Sequence, residues 1–340
     1  MPENPAHRFA STTSERFEEY DPSEDAAPRT QLIPDASSTI INYNDSPDIP
    51  FNASINVYRG CEHGCAYCYA RPFHEYLGFS PGLDFESKIV VKYNAPELLR
   101  RELSSPKWQP QTVAMSGVTD CYQPTERKLQ LTRRVLEVFA EFRNPVGIVT
   151  KNHLVTRDID LLTELARYNC AAVFVSITTL DPELTPKLEP RASLPQMRLA
   201  AVRKLSEAGI PVGVMTAPMI PGLTDHELPQ ILTAAADAGA QFAGLVPLRL
   251  PFAVKDFFAE WLTRHFPDRK ENVLNRVRSL RGGKLNDANF GSRMKGEGVW
   301  AEQLHQMFEV MTRKLGLNKR KTDLSTAHFR RPGGTQLNLL

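Results

Sequence analysis

An α/β fold built on a parallel sheet is the architecture that this sequence predicts, and three observations predict it. From Ser54 onward, short apolar runs rich in β-branched residues alternate with longer runs whose apolar residues recur every three or four positions. Turn and capping residues fall at the junctions between the two kinds of run. Six strand-then-helix units follow one another, and right-handed crossovers would curl such a sheet toward a partial (β/α)6 barrel, with an open doubly wound sheet as the alternative.

The strand candidates are 54–58, 112–115, 146–149, 171–177, 212–216 and 242–246. Between them lie helical patterns at 96–103, 126–142, 159–166, 196–208 and 226–238, and the second carries Leu129, Leu131, Val135, Leu136, Val138, Phe139 and Phe142 as one apolar face. Asp181-Pro182-Glu183 reads as an N-cap followed by proline at the first helical position, and Thr224 to Glu227 has capping-box spacing. Gly209 and Gly239 each end a helix just before a strand. After Val246 the alternation stops. Helical patterns at 255–266 and 271–280 lead through the basic loop Arg281-Gly282-Gly283-Lys284 to an amphipathic helix at 301–315. Its stripe of Leu304, Met307, Phe308, Met311 and Leu315 suits closure of the open edge or bottom of the barrel. The expected organisation is a largely disordered or draped segment over 1–50, a barrel over 51–250, a helical extension over 251–317 and a basic mobile tail over 318–340.

A chain of 340 residues with 41% hydrophobic content can bury the core of one large α/β domain. No run approaches the roughly 18 apolar residues of a membrane span. Five cysteines, three of them clustered, suit a reducing compartment better than a disulfide framework, so a cytoplasmic protein with no membrane partner is expected. The net charge of +2 is unevenly spread: residues 1–50 carry 3 basic and 10 acidic side chains, and residues 255–340 carry 17 and 9. That basic C-terminal part could follow a phosphate backbone, or could simply balance the acidic N-terminus.

The clustered cysteines are Cys61, Cys65 and Cys68, a C-x3-C-x2-C run directly after the first strand. Three thiolates so spaced can face one metal centre, but a closed zinc site needs four ligands, and a [4Fe-4S] cluster on three cysteines leaves one iron open. Zinc completed by His63 or His74, or three inert thiols, are the alternatives. At the C-terminal ends of barrel strands, reactive groups gather.

C-x3-C-x2-C with Tyr67 just before the last cysteine resembles the radical S-adenosylmethionine (SAM) superfamily, and Tyr69 narrows the resemblance to its spore photoproduct lyase-like branch. The segments Met115–Asp120, 149–151, 188–191 and 217–225 are similar to a bacterial subgroup of that branch. The resemblance covers 50–315 and implies a partial TIM-like (β/α)6 barrel of the radical SAM type. It implies a [4Fe-4S] cluster on Cys61, Cys65 and Cys68 whose open iron chelates SAM, and an electron donor such as flavodoxin or ferredoxin. It places Tyr67 near the adenine and Tyr69 beside the cluster or substrate pocket. Ser116, Thr119 and Asp120 would bind the amino-acid part of SAM, Lys151 its carboxylate and Ser176 its ribose hydroxyls. Glu189 and Arg191 would form an ion pair or reach cofactor or substrate. The substrate is unknown, with DNA or RNA the candidate class. Spore photoproduct lyases carry a hydrogen-donating cysteine where this chain has Gly117, and Cys121 is the candidate replacement. The polar, glycine-rich stretch from His74 to Lys88 would cover the cluster. The competing reading is a nucleic-acid-binding iron-sulfur protein with a structural or redox-sensing cluster.

Overall fold

The computed structural model describes residues 29–332. Part of the segment expected to be disordered or draped, residues 29–50, supplies two strands, β1 (Gln31–Pro34) and β2 (Ile41–Tyr43); residues 1–28 lie outside the described residues. The next strands are β3 (Ala53–Ile55), β4 (Tyr58–Arg59) and β5 (Lys88–Val91). Strand β5 pairs in parallel with β1 and antiparallel with β4 in a small side sheet. The run expected as one strand over 54–58 is therefore divided between two sheets.

The main sheet adds β6 (Val113–Met115), β7 (Val146–Thr150), β8 (Ala171–Ser176), β9 (Val212–Met219) and β10 (Phe242–Pro247). Strands β3, β6, β7, β8, β9 and β10 lie side by side in chain order and are all parallel, with β2 antiparallel at the β3 edge. Because the order never reverses, the sheet has no doubly wound switch point. The fold is a partial (β/α)6 TIM-like barrel, as expected. Val146, Ile148, Val173, Val175, Val212 and Val214 have no exposed surface, as befits a sheet covered on both faces.

The helices are α1 (Ala95–Ser104), α2 (Leu131–Phe142), α3 (Ile159–Arg167), α4 (Pro195–Glu207), α5 (Leu228–Asp237), α6 (Val254–His265), α7 (Lys270–Ser279) and α8 (Gly298–Leu315). One expected helix, 126–142, breaks at Gln130, which has φ +48°. The cause is Glu126, whose Oε2 accepts from the backbone N–H groups of Leu131 (3.0 Å) and Thr132 (3.1 Å) and so caps α2 from the preceding turn. The expected capping box at Thr224 is not formed. Thr224 Oγ1 accepts from Ile220 N, while Glu227 accepts from Thr179 Oγ1 (2.6 Å) and Leu180 N (2.7 Å), tying α5 to the loop after β8.

Helix α8 packs on α5 and β10, covering the open edge of the sheet. Leu304 is buried, and Phe308, Met311 and Leu315 lie against the main core, whereas Met307 stays at the surface. Residues 318–331, expected as a mobile tail, run as a strap across the N-terminal ends of the strands. Asn318 N donates to Gln241 O, Ser325 N to Asn169 O, Arg330 N to Phe142 O and Arg331 Nη2 to Trp108 O, at 2.8–3.0 Å. Each acceptor immediately precedes a barrel strand or lies just before it, and the Phe329 ring packs 6.3 Å from that of Phe142. The charged strap thus closes the bottom mouth with backbone bonds that composition does not disclose, and leaves the opposite mouth for chemistry.

Truncation after Leu317 removes these bonds. At about 0.5–1.5 kcal/mol for each hydrogen bond, it should lower unfolding stability by roughly 2–4 kcal/mol in urea denaturation. An unchanged midpoint would show that the strap is only laid on the surface.

Candidate active site

The cysteine loop begins immediately after β4, beyond the C-terminal end of β3, and is held in place by buried charge. Arg71, with no exposed surface, donates from Nε to Cys65 O, from Nη1 to the carbonyls of Pro81 and Gly82, and from Nη2 to Gly64 O, Cys65 O and Glu86 Oε1, all at 2.9–3.1 Å. The other oxygen of Glu86 accepts from Arg191, whose Nε also donates to Glu62 O. Gly64 has φ +67°, and a Cβ there would run into both the Glu86 carboxylate and the Arg191 guanidinium. The loop can follow this path only with glycine at that point. Ala66 N donates to Leu188 O and Arg191 N to His63 O, so the stretch 188–191 forms the second wall.

Cys61 and Cys65 are buried, Cys68 is partly buried, and none is in a disulfide. Burial pushes all three thiols above their ordinary range, Cys65 to about 12. Asp120 adds to the effect at Cys61 and Glu189 at Cys65, while Arg71 and Lys151 oppose it at Cys68. Three soft sulfur donors on one rigid loop fit a [4Fe-4S] cluster with one open iron. They do not fit closed zinc: among the described residues no set of four protein donors is gathered around a metal position, and each candidate histidine is tied through Nε2 to another group, although His63 Nδ1 is buried with no hydrogen-bond partner. His74 Nε2 lies 3.0 Å from Lys88 O, His63 Nε2 lies 3.2 Å from Asn152 Nδ2, and His63 Nδ1 lies 3.4 Å from Asp120 Oδ2. Burial lowers the His63 pKa to about 4, so its ring is neutral at pH 7.

Several residues expected on SAM are occupied by the protein itself. Ser116, at φ +73°, accepts from Cys121 N (2.9 Å), and Thr119 Oγ1 donates to Tyr58 O (2.7 Å). Asp120 accepts from Tyr122 N (2.9 Å), Thr150 Oγ1 (2.8 Å) and Lys151 N (2.7 Å), so it braces the end of β7. Arg191 belongs to the loop clamp, not to a free pocket. Ser176 is 3% exposed, and its carbonyl accepts from Arg198 Nη1 (2.9 Å). Cys121, the candidate hydrogen donor, is 2% exposed within the main core, with its thiol against the hydroxyls of Ser116 and Thr132. Two expected residues do face the loop: Lys151 Nζ stands 5.8 Å from the Tyr67 ring centre, and the half-exposed Tyr69 donates to Gly117 O at 2.5 Å.

Sequence reasoning missed a buried network beneath Tyr67. The Tyr67 hydroxyl donates to Glu189 and lies 3.3 Å from Thr178 Oγ1, which also donates to Glu189 (3.0 Å). Glu189 pairs with Arg198, and both side chains are 1% exposed. Burial alone would raise the Glu189 pKa, but Arg198, Lys151 and the Tyr67 hydroxyl bring it down to about 2. Glu189 was visible as part of a motif; Arg198 sits inside an amphipathic helix, where an arginine ordinarily faces water.

The family model of the radical SAM superfamily matches residues 55–235, which spans the cysteine loop and β3 through α5. The chain belongs to the radical SAM superfamily. As a radical SAM protein it is an enzyme of radical-based chemistry, and this favours catalysis over a merely structural or redox-sensing cluster. An uncharacterized Mycobacterium tuberculosis protein is 40% identical over 234 residues, 68% of each chain. The radical SAM Nα-GlyT isomerase of Pseudomonas phage M6 is 28% identical over 168 residues, 49% of this chain and 33% of that one. Among solved structures, spore photoproduct lyase shares the fold with TM-scores of 0.60–0.61 at 17–18% identity, covering 84% of this chain and 80% of that one. Among the described residues, no helix is long and apolar enough to cross a membrane.

Gly64→Ala should fold but load iron poorly, with at least a severalfold drop in cluster absorbance after reconstitution; wild-type loading would mean that the clamp yields. Glu189 gives a pH signature. Its folded pKa lies below its unfolded value of 4.5, so its carboxylate stabilises the fold above that value and loses the effect as pH falls toward 2. The apo protein's melting temperature should therefore fall more steeply below pH 4.5 in wild type than in Glu189→Gln, and parallel curves would refute the assignment.

Proposed function

We propose that this enzyme reductively cleaves SAM and directs the resulting radical at a nucleic-acid substrate. The observation that carries the reading is a clamped loop with three thiols, set at the C-terminal mouth of the barrel, with no fourth protein donor gathered to them among the described residues. Cys61, Cys65 and Cys68 would hold three irons of a [4Fe-4S] cluster. When bound, the cluster supplies the electron that splits SAM into methionine and a 5′-deoxyadenosyl radical, which abstracts hydrogen from the substrate.

The chain's own groups bind and orient. Lys151, fixed through its backbone by Asp120, meets the SAM carboxylate, and the Tyr67 ring, anchored by Glu189, forms a rigid wall for the adenine. Ser176, the last residue of β8, would offer its hydroxyl to the ribose. Tyr69 shields the loop on the solvent side. The roles expected of Ser116, Thr119 and Asp120 reduce to shaping the loop after β6, with backbone groups there left to meet SAM. An electron donor such as flavodoxin or ferredoxin would supply the electron, in a reducing cytoplasm.

The nucleic-acid assignment draws on the relatives. One matching spore photoproduct lyase structure contains AdoMet and a dinucleoside spore photoproduct. Residues 318–331 lie at the opposite mouth, so the matching charge comes from residues 255–317, which carry 12 basic and 8 acidic side chains.

Anaerobic reconstitution, reduction and addition of SAM should give 5′-deoxyadenosine, increased by a DNA or RNA substrate, and Cys65→Ala should lower it by at least a hundredfold. A fully loaded, reduced cluster that leaves SAM intact with and without nucleic acid would defeat the proposal.

A further inference from the structure

Arg249 lies two residues beyond Pro247, the last residue of β10, at the same mouth of the barrel as the cysteine loop. Its guanidinium is partly buried, its Nε is shielded without a partner, and among the described residues its hydrogen bond runs from Nη1 to Met294 Sδ (2.9 Å). A thioether is a weak acceptor for a charged donor. Arg71, Arg198 and Arg281, the most buried arginines among the described residues, instead donate to carbonyls or carboxylates.

The surroundings are rigid and positive. Arg281 donates to the carbonyls of Pro247 (3.1 Å), Leu248 (2.9 Å), Ser292 (3.2 Å) and Arg293 (2.7 Å), pinning the segment that carries Met294 to the exit of β10. Arg293 is bound to Asp48, and this contact joins the segment to the loop before β3, across the seam between the two ends of the parallel run. Asp48 also accepts from Gly291 N, while Asp287 accepts from Ser292 Oγ and Asn289 N. The guanidinium groups of Arg249, Arg281 and Arg293 thus share the carboxylates of Asp48, Asp287 and Glu297, and among the described residues none of the three is hydrogen-bonded to Arg249. Burial and the charge of Arg293 hold the Arg249 pKa below its ordinary value, and Asp48 and Asp287 offset this only in part. Two exposed aromatic rings accompany Arg249: Phe290, stacked 4.4 Å from the Arg293 guanidinium, and Phe252, three residues further along the chain. Basic groups interleaved with exposed rings are the combination that binds single-stranded nucleic acid.

We propose that Arg249 is the phosphate contact of the substrate site, taking the phosphodiester next to the nucleotide presented at the cysteine-loop mouth of the barrel, on a single-stranded or locally unpaired strand. The inference rests on the nucleic-acid reading above and adds to it the residue that sets the register of the strand.

The test measures binding by the reconstituted holoenzyme, using fluorescence anisotropy with single-stranded DNA and RNA oligonucleotides across a salt series. Arg249→Gln should raise Kd by about three- to tenfold and flatten the log–log salt slope by about 0.7, the share of one phosphate on a single strand. A second probe replaces one phosphodiester at a time with an uncharged methylphosphonate. At one position this should weaken binding to wild type and leave Arg249→Gln indifferent, while Arg249→Lys, which keeps the charge, retains the salt slope. Cluster absorbance and melting temperature show whether each variant is folded. If wild type binds neither DNA nor RNA at low salt, the nucleic-acid reading falls and this inference with it. If wild type binds but Arg249→Gln shows the same salt slope, or loses affinity equally for every methylphosphonate position, the assignment of Arg249 alone is overturned.

Discussion

Arg71 reads five positions of the fold at once. With no exposed surface, it directs its donors at the carbonyls of Gly64, Cys65, Pro81 and Gly82 and at Glu86, and Glu86 passes the constraint on to Arg191. Removing one partner from a buried ion pair of this kind costs about 3–5 kcal/mol, because the remaining charge has nowhere to go. The thiols make no contribution to this clamp. The loop is therefore shaped by its own backbone and by charge, and Cys61, Cys65 and Cys68 remain available for iron.

Beneath the loop, the Glu189–Arg198 pair does for Tyr67 what Arg71 does for the cysteines. It anchors a phenol that would otherwise bury an unpaired hydroxyl, and so fixes the ring that faces Lys151. Thr119, Asp120 and Thr150 lock the ends of β6 and β7 in the same way. Polar groups that look like ligands in the sequence thus serve mainly to build a rigid mouth, and positioning is the part of radical chemistry that a protein contributes.

Much of the fold was legible because it is written in local periodicity. All six parallel strands and their helices lie within a few residues of their expected places, since alternating apolar runs and terminal glycines report on local structure. Long-range bonds were not legible. The split at Gln130 depends on Glu126 capping a helix, the unmade capping box depends on Glu227 reaching back to Leu180, and the strap over 318–331 depends on carbonyls at the bottom of four strands. At the site, the cysteine spacing disclosed the donor set and Tyr67 its neighbour. Arg71, Arg198 and Arg249 were hidden, because an arginine in a sequence carries no mark of whether it is solvated, clamped or waiting for an anion. Cys121 misled for the opposite reason: its place after β6 suited a reactive thiol, while its burial makes it core.

The central claim is that three thiols on a preformed loop leave one iron open for SAM. Electron paramagnetic resonance of the reduced, reconstituted enzyme tests it most directly. The account predicts a [4Fe-4S] signal whose g-values shift when SAM is added, because the cofactor enters the coordination of the open iron. A signal from a fully loaded cluster that is unchanged by saturating SAM would contradict it.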